Sequence, residues 1–222
     1  MIKTIRNKAL VALATAVMLL IIFSTGDAIA SPIRFNFNGE ITNVWINTSD
    51  PFNGAIEVGT PFWGTYTFDP ETPNSGSEYH ARYIHTSEPY GIELTVGFYT
   101  GTSKHSDISL YYRIVIDQGH VQDIQTPNMP FGGYTAGLVQ LFLKDVTSTA
   151  LQNTDLSATP PDLNDYTFHE LWFNIVEPDG SAMVTFGGII NEITPIPEPA
   201  TMFLLASGLV GLAAMKRKFR RA

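Results

Sequence analysis

The chain has 222 residues, no cysteine and a formal net charge of −8 at pH 7. Without cysteine it can have no disulfide, zinc–thiolate site or cysteine nucleophile, so these classes of site are excluded. The acidic balance argues against nucleic acid and anionic lipid as partners, because both require a basic face.

Residues 1–30 are organised like a secretory signal peptide. Basic residues precede an apolar run over residues 9–23, and a small-x-small pattern formed by Ala28 and Ala30 follows. This order of charge, apolar run and small residues predicts a signal helix that signal peptidase removes. The alternative, an uncleaved N-terminal anchor, is disfavoured because the run is short for a membrane span.

Residues 31–190 are predicted to form one all-β passenger domain. Apolar and polar residues alternate in IRFNFN, FWGTYTFD, GIELTVGF and ISLYYRIVI, whereas GLVQLFLKDV is apolar on both faces. Segments rich in Pro, Gly, Asn and Asp separate these stretches and favour turns. We expect about seven to ten antiparallel strands in a single β-sandwich, jelly-roll-like or Ig-like. Residues 191–196 are interpreted as a linker.

The exported part is strongly acidic. Residues 31–196 contain five Lys or Arg and nineteen Asp or Glu, a net charge of −14. The stretch DLSATPPDLNDY offers Asp155, Asp162, Asn164 and Asp165, whose oxygens are suitable calcium ligands, and FDPETPNSGSE is a similar stretch. Asp and Asn are also common in turns for conformational reasons, and neither stretch matches an EF-hand loop. The prediction is therefore no cofactor, with calcium as the alternative.

The chain lacks the catalytic motifs Gly-x-Ser-x-Gly, His-Glu-x-x-His and Ser-x-x-Lys. Glu177 and Asp179 begin the Glu-x-Asp-x-x-Glu pattern of some sandwich glycosidases, but Ala182 occupies the place of the last Glu. The five histidines show no spacing that fixes a metal geometry. We predict that the protein is not an enzyme. A hydrolase whose catalytic residues are assembled from distant positions ranks third among the alternatives below.

Aromatic residues on the polar faces of strands are candidates for stacking on sugars. Trp63 and Tyr111 lie opposite clear apolar stripes, so we expect their rings to be exposed or to meet a second sheet layer. Phe, Tyr and Trp also fill β-sheet cores, which is the alternative interpretation. Further aromatic candidates are Trp45, Tyr79, Tyr83, Tyr90, Tyr99 and Trp172.

The chain ends in a short apolar run followed by positive charge. The 16 residues between Pro199 and Lys216 would span roughly 24 Å as a helix, less than the roughly 30 Å of a bilayer core. We predict a short membrane helix whose basic end stays in the cytoplasm. The charges argue against the alternative of a buried core helix. The basic cluster consists of Lys216, Arg217, Lys218, Arg220 and Arg221.

Residues 197–222 resemble the PEP-CTERM sorting signal of Gram-negative bacteria. Pro197, Glu198 and Pro199 are followed by the Gly- and Leu-rich run and then by the basic cluster, in the order of that signal. The resemblance implies that an exosortase recognises these three residues and removes the tail, so they are not catalytic in this protein. It also implies a membrane-anchored intermediate and delivery to the cell surface or the exopolysaccharide matrix. Residues 31–190 are similar to passenger domains that precede this signal, and this resemblance does not indicate which activity the domain has.

The leading hypothesis is an exported surface or matrix protein with a structural or adhesive, non-enzymatic role. The alternative is a carbohydrate-binding module that recognises exopolysaccharide, with or without calcium, and a hydrolase comes third. The predicted partners are signal peptidase and exosortase during processing, the membrane transiently, and exopolysaccharide under the alternative hypothesis.

Overall fold

The computed structural model describes residues 31–103, 110–116 and 119–197. The predicted signal helix, membrane helix and basic tail lie outside the described residues. Nothing helical in the described ranges has the length and apolar character of a transmembrane span. These ranges form β1 (Ile33–Ile46), β2 (Pro61–Phe68), β3 (His80–His85), β4 (Gly91–Val96), β5 (Tyr99–Thr102), β6 (Leu110–Val115), β7 (His120–Phe131), β8 (Tyr134–Asp145), the 3₁₀ helix Leu163–Asp165, β9 (Phe168–Val176) and β10 (Ala182–Pro195).

The prediction of an all-β fold is confirmed, but the predicted β-sandwich is wrong. Eight strands pair in the order β7-β5-β4-β2-β1-β10-β9-β8, and β8 pairs again with β7, so the sheet closes into an eight-stranded antiparallel barrel. A sandwich and a barrel both need strands with one apolar and one polar face, so the alternation in the sequence cannot separate them. The choice depends on which strand edges pair.

β3 and β6 extend the sheet beside the barrel. β6 pairs with residues 121–125 in the first part of β7, and β3 pairs with the other edge of β6. The end of β7 pairs with β5, where Gly101 lies opposite Phe131. One edge of β7 is therefore occupied by β8 along its length, whereas the other edge is shared between β6 and β5.

Large apolar side chains fill the interior of the barrel. The rings of Phe35 and Tyr66 meet edge to face with centroids 5.4 Å apart, and those of Phe173 and Phe186 stack at 4.7 Å. All four are buried. Gly64 gives room to another core ring, Phe37 of β1, because a Cβ at position 64 would collide with that ring and with the backbone of β4. The apolar faces are thus used for packing, and the polar outer faces are left for binding.

The residues predicted to form a linker, 191–196, belong to the barrel wall instead. β10 continues to Pro195, which lies opposite Phe35 of β1, and the Ile196 N–H donates to the Arg34 carbonyl at 2.9 Å. Within this segment Ile193 is buried. The segment NEITPIP contains enough polar residues and proline to resemble a linker. Its alternation of polar and apolar residues nevertheless fits the C-terminal end of a strand paired with β1.

Candidate functional site

The outer face of five neighbouring strands, β10, β1, β2, β4 and β5, carries polar side chains around Trp63. Cross-strand register places Trp63 between Asn38 and Thr95. We call this surface the Trp63 face. One row across it consists of Glu192, Asn38, Trp63, Thr95 and Thr100, and the next row consists of Thr194, Asn36, Thr65, Glu93 and Thr102.

A groove of about 630 Å³ runs over the Trp63 face. Trp63 is 49% exposed there, and the lining also includes the carboxylates of Glu93 and Glu192 and the hydroxyls of Thr65 and Thr95. The groove therefore combines a flat apolar ring with hydrogen-bond donors and acceptors on both sides. Such a combination suits a ligand that has an apolar face and a polar rim.

Hydrogen bonds hold the polar side chains of the Trp63 face in place. Arg34 donates from Nη2 to Glu93 Oε2 at 2.8 Å and to Thr65 Oγ1 at 3.2 Å, and the Thr65 hydroxyl donates to the same Glu93 oxygen at 3.1 Å. On the other side of Trp63, Asn38 Nδ2 donates to Glu192 Oε2 at 3.0 Å. The arrangement reduces the side-chain freedom that a ligand would have to remove.

Tyr111 does not join Trp63. It is half-buried on the outer face of β6, opposite Gln125 of β7 and Ile84 of β3. β7, β5 and β4 separate β6 from β2 in the sheet order. Of the two residues predicted to stack on sugars, Trp63 therefore lies on the barrel wall and Tyr111 on the extension beside it, and the role predicted for Tyr111 stays a prediction.

The residues predicted as calcium ligands are engaged in local turns. Asp162 caps the 3₁₀ helix and accepts the Asn164 N–H at 3.0 Å, and Asp165 lies in the same turn. Asp155 accepts a hydrogen bond from Asn153 Nδ2 at 2.8 Å. Within the ranges described by the structure, no group of three or more His, Asp or Glu is arranged to hold a metal ion. Calcium binding stays a prediction.

The last residue of β10, Pro195, is also the first residue of a segment that matches a known family. Residues 195–218 match the family described as the PEP-CTERM protein-sorting motif. The chain carries a PEP-CTERM sorting motif. The motif is consistent with an exosortase substrate and implies a secreted protein that this enzyme handles at the membrane. No curated protein and no solved structure matches the chain.

The PEP-CTERM motif begins on the barrel itself. Pro195 is the last residue of β10, Ile196 is hydrogen-bonded to β1, and Pro197 is exposed. Glu198, Pro199 and the basic cluster lie outside the described residues. Pro197, the first proline of the Pro-Glu-Pro triplet, is therefore two residues from the end of β10.

The PEP-CTERM passenger also contains a buried charge that sequence reasoning missed. Asp123 on β7 is fully buried and accepts hydrogen bonds from Arg113 Nη2 and from Gln140 Nε2, each at 2.8 Å. Burial raises the pKa of Asp123, and the hydrogen bonds from Gln140 and Arg113 oppose that rise. The segment HVQDIQ is mostly polar, so no local sequence pattern marks Asp123 as a buried residue.

A second missed carboxylate, Asp145, anchors the loop after β8. Its oxygens accept the Thr147 hydroxyl at 2.6 Å and the N–H groups of Thr147, Thr149 and Ala150 at 2.7, 2.6 and 2.9 Å. The hydroxyl of Thr147, followed by these backbone donors, holds the pKa of Asp145 well below its usual range. All of the donors are local, so this carboxylate shapes the loop of the PEP-CTERM passenger.

Proposed function

We propose that this protein is a non-enzymatic surface or matrix protein that binds neutral exopolysaccharide through the Trp63 face. Its PEP-CTERM motif supports secretion and exosortase-dependent sorting. The observation that carries the binding proposal is the half-exposed indole of Trp63 within a groove lined by hydroxyl, amide and carboxylate groups. Attachment to polysaccharide would give the protein its adhesive role.

The chemistry of a sugar ring fits this groove. A pyranose has an apolar face of C–H groups, which can stack on an indole, and a rim of hydroxyls that both donate and accept hydrogen bonds. The side chains of Asn36, Thr95 and Thr100 supply neutral donors and acceptors next to Trp63. Sugar binding would use the ring and the polar rows at the same time.

The charge of the exported part favours a neutral polysaccharide. Residues 31–196 carry a net charge of −14, and Glu192 lies in the groove itself. An anionic polymer would be repelled by this field and would bring like charges together in the contact. A neutral chain avoids that cost.

The arrangement of carboxylates supports binding without hydrolysis. Glycosidases place two carboxyl groups about 5–9.5 Å apart across the scissile bond. Glu93 and Glu192 lie on β4 and β10, with β2 and β1 between them, and three strand spacings amount to about 14 Å. Glu93 is also paired with Arg34 at 2.8 Å, so one of its oxygens already has a partner.

The test is to measure binding of the exported protein, purified from the producing cell, to that cell's own exopolysaccharide. The polymer is first separated by anion exchange into neutral and anionic fractions. We expect saturable binding to the neutral fraction, and we expect Trp63→Ala to weaken it about tenfold or more, a loss of about 1.4 kcal/mol. Tyr79→Ala is the matched control, because Tyr79 is an exposed aromatic residue outside the groove.

Two outcomes would overturn the proposal. One is unchanged affinity of the Trp63→Ala variant for the neutral fraction, and the other is binding confined to the anionic fraction. Repeating the titration in calcium and in EDTA tests the calcium-assisted version. Loss of binding in EDTA would make Asp155, Asp162, Asn164 and Asp165 the next positions to substitute.

A further inference from the structure

The barrel wall carries a second aromatic surface, formed by Trp45 of β1 and Trp172 of β9. Their rings are stacked, with centroids 5.1 Å apart and an angle of 10° between the planes. Trp45 is 41% exposed. We call these two residues the indole pair. β10 runs between β1 and β9, so the two side chains meet above it.

The indole pair is held in position from below and from the side. A Cβ on Gly187 of β10 would lie 3.1 Å from Cζ3 of Trp45, a tight approach, and 3.5 Å from Cζ3 of Trp172, an ordinary contact, so a larger side chain here would press on the stacked rings. Trp172 Nε1 donates to Glu170 Oε2 at 2.8 Å. Because the rings are ordered in advance, binding a ligand on them would cost little additional conformational entropy.

Oriented amide groups lie beside the indole pair. A groove of about 250 Å³ is lined by Gln140, Trp172 and Asn174. Gln140 Nε2 donates to Asp123 at 2.8 Å, which leaves Oε1 as an acceptor. Asn174 Oδ1 accepts the Leu138 N–H at 2.9 Å, which leaves Nδ2 as a donor. The surface thus offers an apolar ring, a fixed acceptor and a fixed donor, the combination also present at the Trp63 face.

A second groove, of about 220 Å³, lies on another side of Trp172. Asn43, Glu170 and Trp172 are among its lining residues. Trp172 therefore borders two grooves, each of which contains polar side chains. A chain of sugar units could cross the indole pair with hydroxyl partners both before and after the stacked rings.

The indole pair and the Trp63 face are separated along β1. Asn38, which lies opposite Trp63, and Trp45 are seven positions apart on that strand, a distance of about 23 Å. Strands in closed barrels tilt by about 35–45° from the barrel axis, so a path of this length also turns around the wall. The two surfaces therefore face different directions, and each can hold its own ligand.

We propose that the indole pair is a second binding site for neutral polysaccharide, so that one barrel joins two polysaccharide chains. The proposal rests on the proposed function of the Trp63 face, from which it takes the class of ligand. With one site on each of two differently oriented surfaces, the secreted protein acts as a cross-linker of the matrix. Two linked sites also bind a dense polymer more strongly than either site alone.

The test is a two-layer capture experiment with the purified exported protein. The neutral exopolysaccharide fraction is immobilised, the protein is bound to it, and fluorescently labelled polymer of the same fraction is then added. We expect wild type to capture labelled polymer. Trp45→Ala should still bind the first layer through the Trp63 face but should capture at least about fivefold less labelled polymer.

Gly187→Val is the second variant, because it keeps both indoles and pushes them apart. It should reduce capture in the same way and carries the test if Trp45→Ala fails to fold, which thermal unfolding would reveal. Trp63→Ala should also lose capture while keeping a weaker first-layer binding through the indole pair, and Tyr79→Ala should behave as wild type.

Full capture by folded Trp45→Ala or by Gly187→Val would overturn the second site, as would wild type that captures no labelled polymer. Loss of all first-layer binding in Trp63→Ala would also overturn the second site, because no other site would then hold the polymer, but it would leave the proposed function of the Trp63 face intact. Unchanged first-layer binding and capture in Trp63→Ala, with loss in Trp45→Ala, would instead reject the Trp63 face and retain the indole pair.

Discussion

His85 connects β3 to the loop that follows β2. Its side chain is buried, and its Nε2 accepts the Asp69 N–H at 3.0 Å and lies 3.0 Å from the Thr72 hydroxyl. Because Nε2 is an acceptor here, the neutral imidazole carries its proton on Nδ1. Burial lowers the pKa of His85, and the nearby Asp69 groups oppose that change only in part.

This environment predicts a pH dependence of stability. Below the ordinary pKa of 6.5 the unfolded chain binds a proton at His85, whereas the folded chain resists it. The contribution of His85 is therefore complete above pH 6.5 and is lost as the pH falls towards the lower folded-state value. In His85→Gln, an amide oxygen can accept the Asp69 N–H without titrating. We expect the variant to lose less unfolding free energy than wild type between about pH 7 and pH 5.

Urea unfolding of wild type and His85→Gln at about pH 7, 6 and 5 measures this difference. Comparing slopes rather than absolute stabilities removes the contribution of the other titrating groups, since both proteins share them. An identical slope in the two proteins would show that His85 does not provide the pH dependence.

At the scale of elements, the closure of the barrel depends on the contact between β5 and β7. There Gly101 lies opposite Phe131, and the Gly132 N–H donates to the Thr100 carbonyl at 3.3 Å. A Cβ on Gly101 would collide with the Pro130 carbonyl and approach a side-chain carbon of Phe131 to 2.9 Å. The close approach of these two strands therefore requires glycine.

We predict that Gly101→Val destabilises the protein by about 1–3 kcal/mol, the usual cost of forcing extra volume into a well-packed site. Hydrogen exchange should increase first in β5 and in the end of β7, because these are the strands that the new side chain would separate. Thr100→Val is the matched control, since Thr100 neighbours Gly101 on β5 and faces outward. If Gly101→Val had the stability and the hydrogen-exchange rates of wild type, the barrel would not depend on this contact.

On the scale of the whole molecule, the sorting signal and the barrel share a boundary. The PEP-CTERM motif starts at Pro195, where β10 ends, and Ile196 is still bonded to β1. The exosortase would therefore act on a site close to a folded domain. The net charge is −8 for the full chain and −14 for residues 31–196, and the difference comes from the basic cluster of the tail and from residues 1–30.

The processed protein is expected to lack its basic tail. Mass spectrometry of the C-terminal peptide should show that the surface pool ends near Pro197 to Pro199, without the residues from Lys216 onward. Glu198→Ala should keep the tail and accumulate in the membrane fraction, because the exosortase motif is altered. Glu192→Ala is the control, as it removes a nearby carboxylate of β10 outside the PEP triplet. An intact tail in most of the wild-type surface pool would contradict the prediction.

The sequence by itself determined the properties that depend on neighbouring residues. The sorting signal is linear and is recognised by another enzyme, so the order of its parts along the chain is sufficient to identify it. The all-β class and the outward position of Trp63 follow from a period of two residues, since adjacent side chains on a strand point to opposite faces. The same local period cannot tell a sandwich from a barrel.

Only the tertiary structure decided which strands meet. Trp45 and Trp172 are far apart in the chain and come together because β10 pairs with both β1 and β9. The Trp63 face depends in the same way on the register of five strands. The segment 191–195 forms part of the barrel wall because it pairs with β1. Pairing between distant strands is set by edges, closure and packing of the whole core, and these are properties that no local pattern encodes.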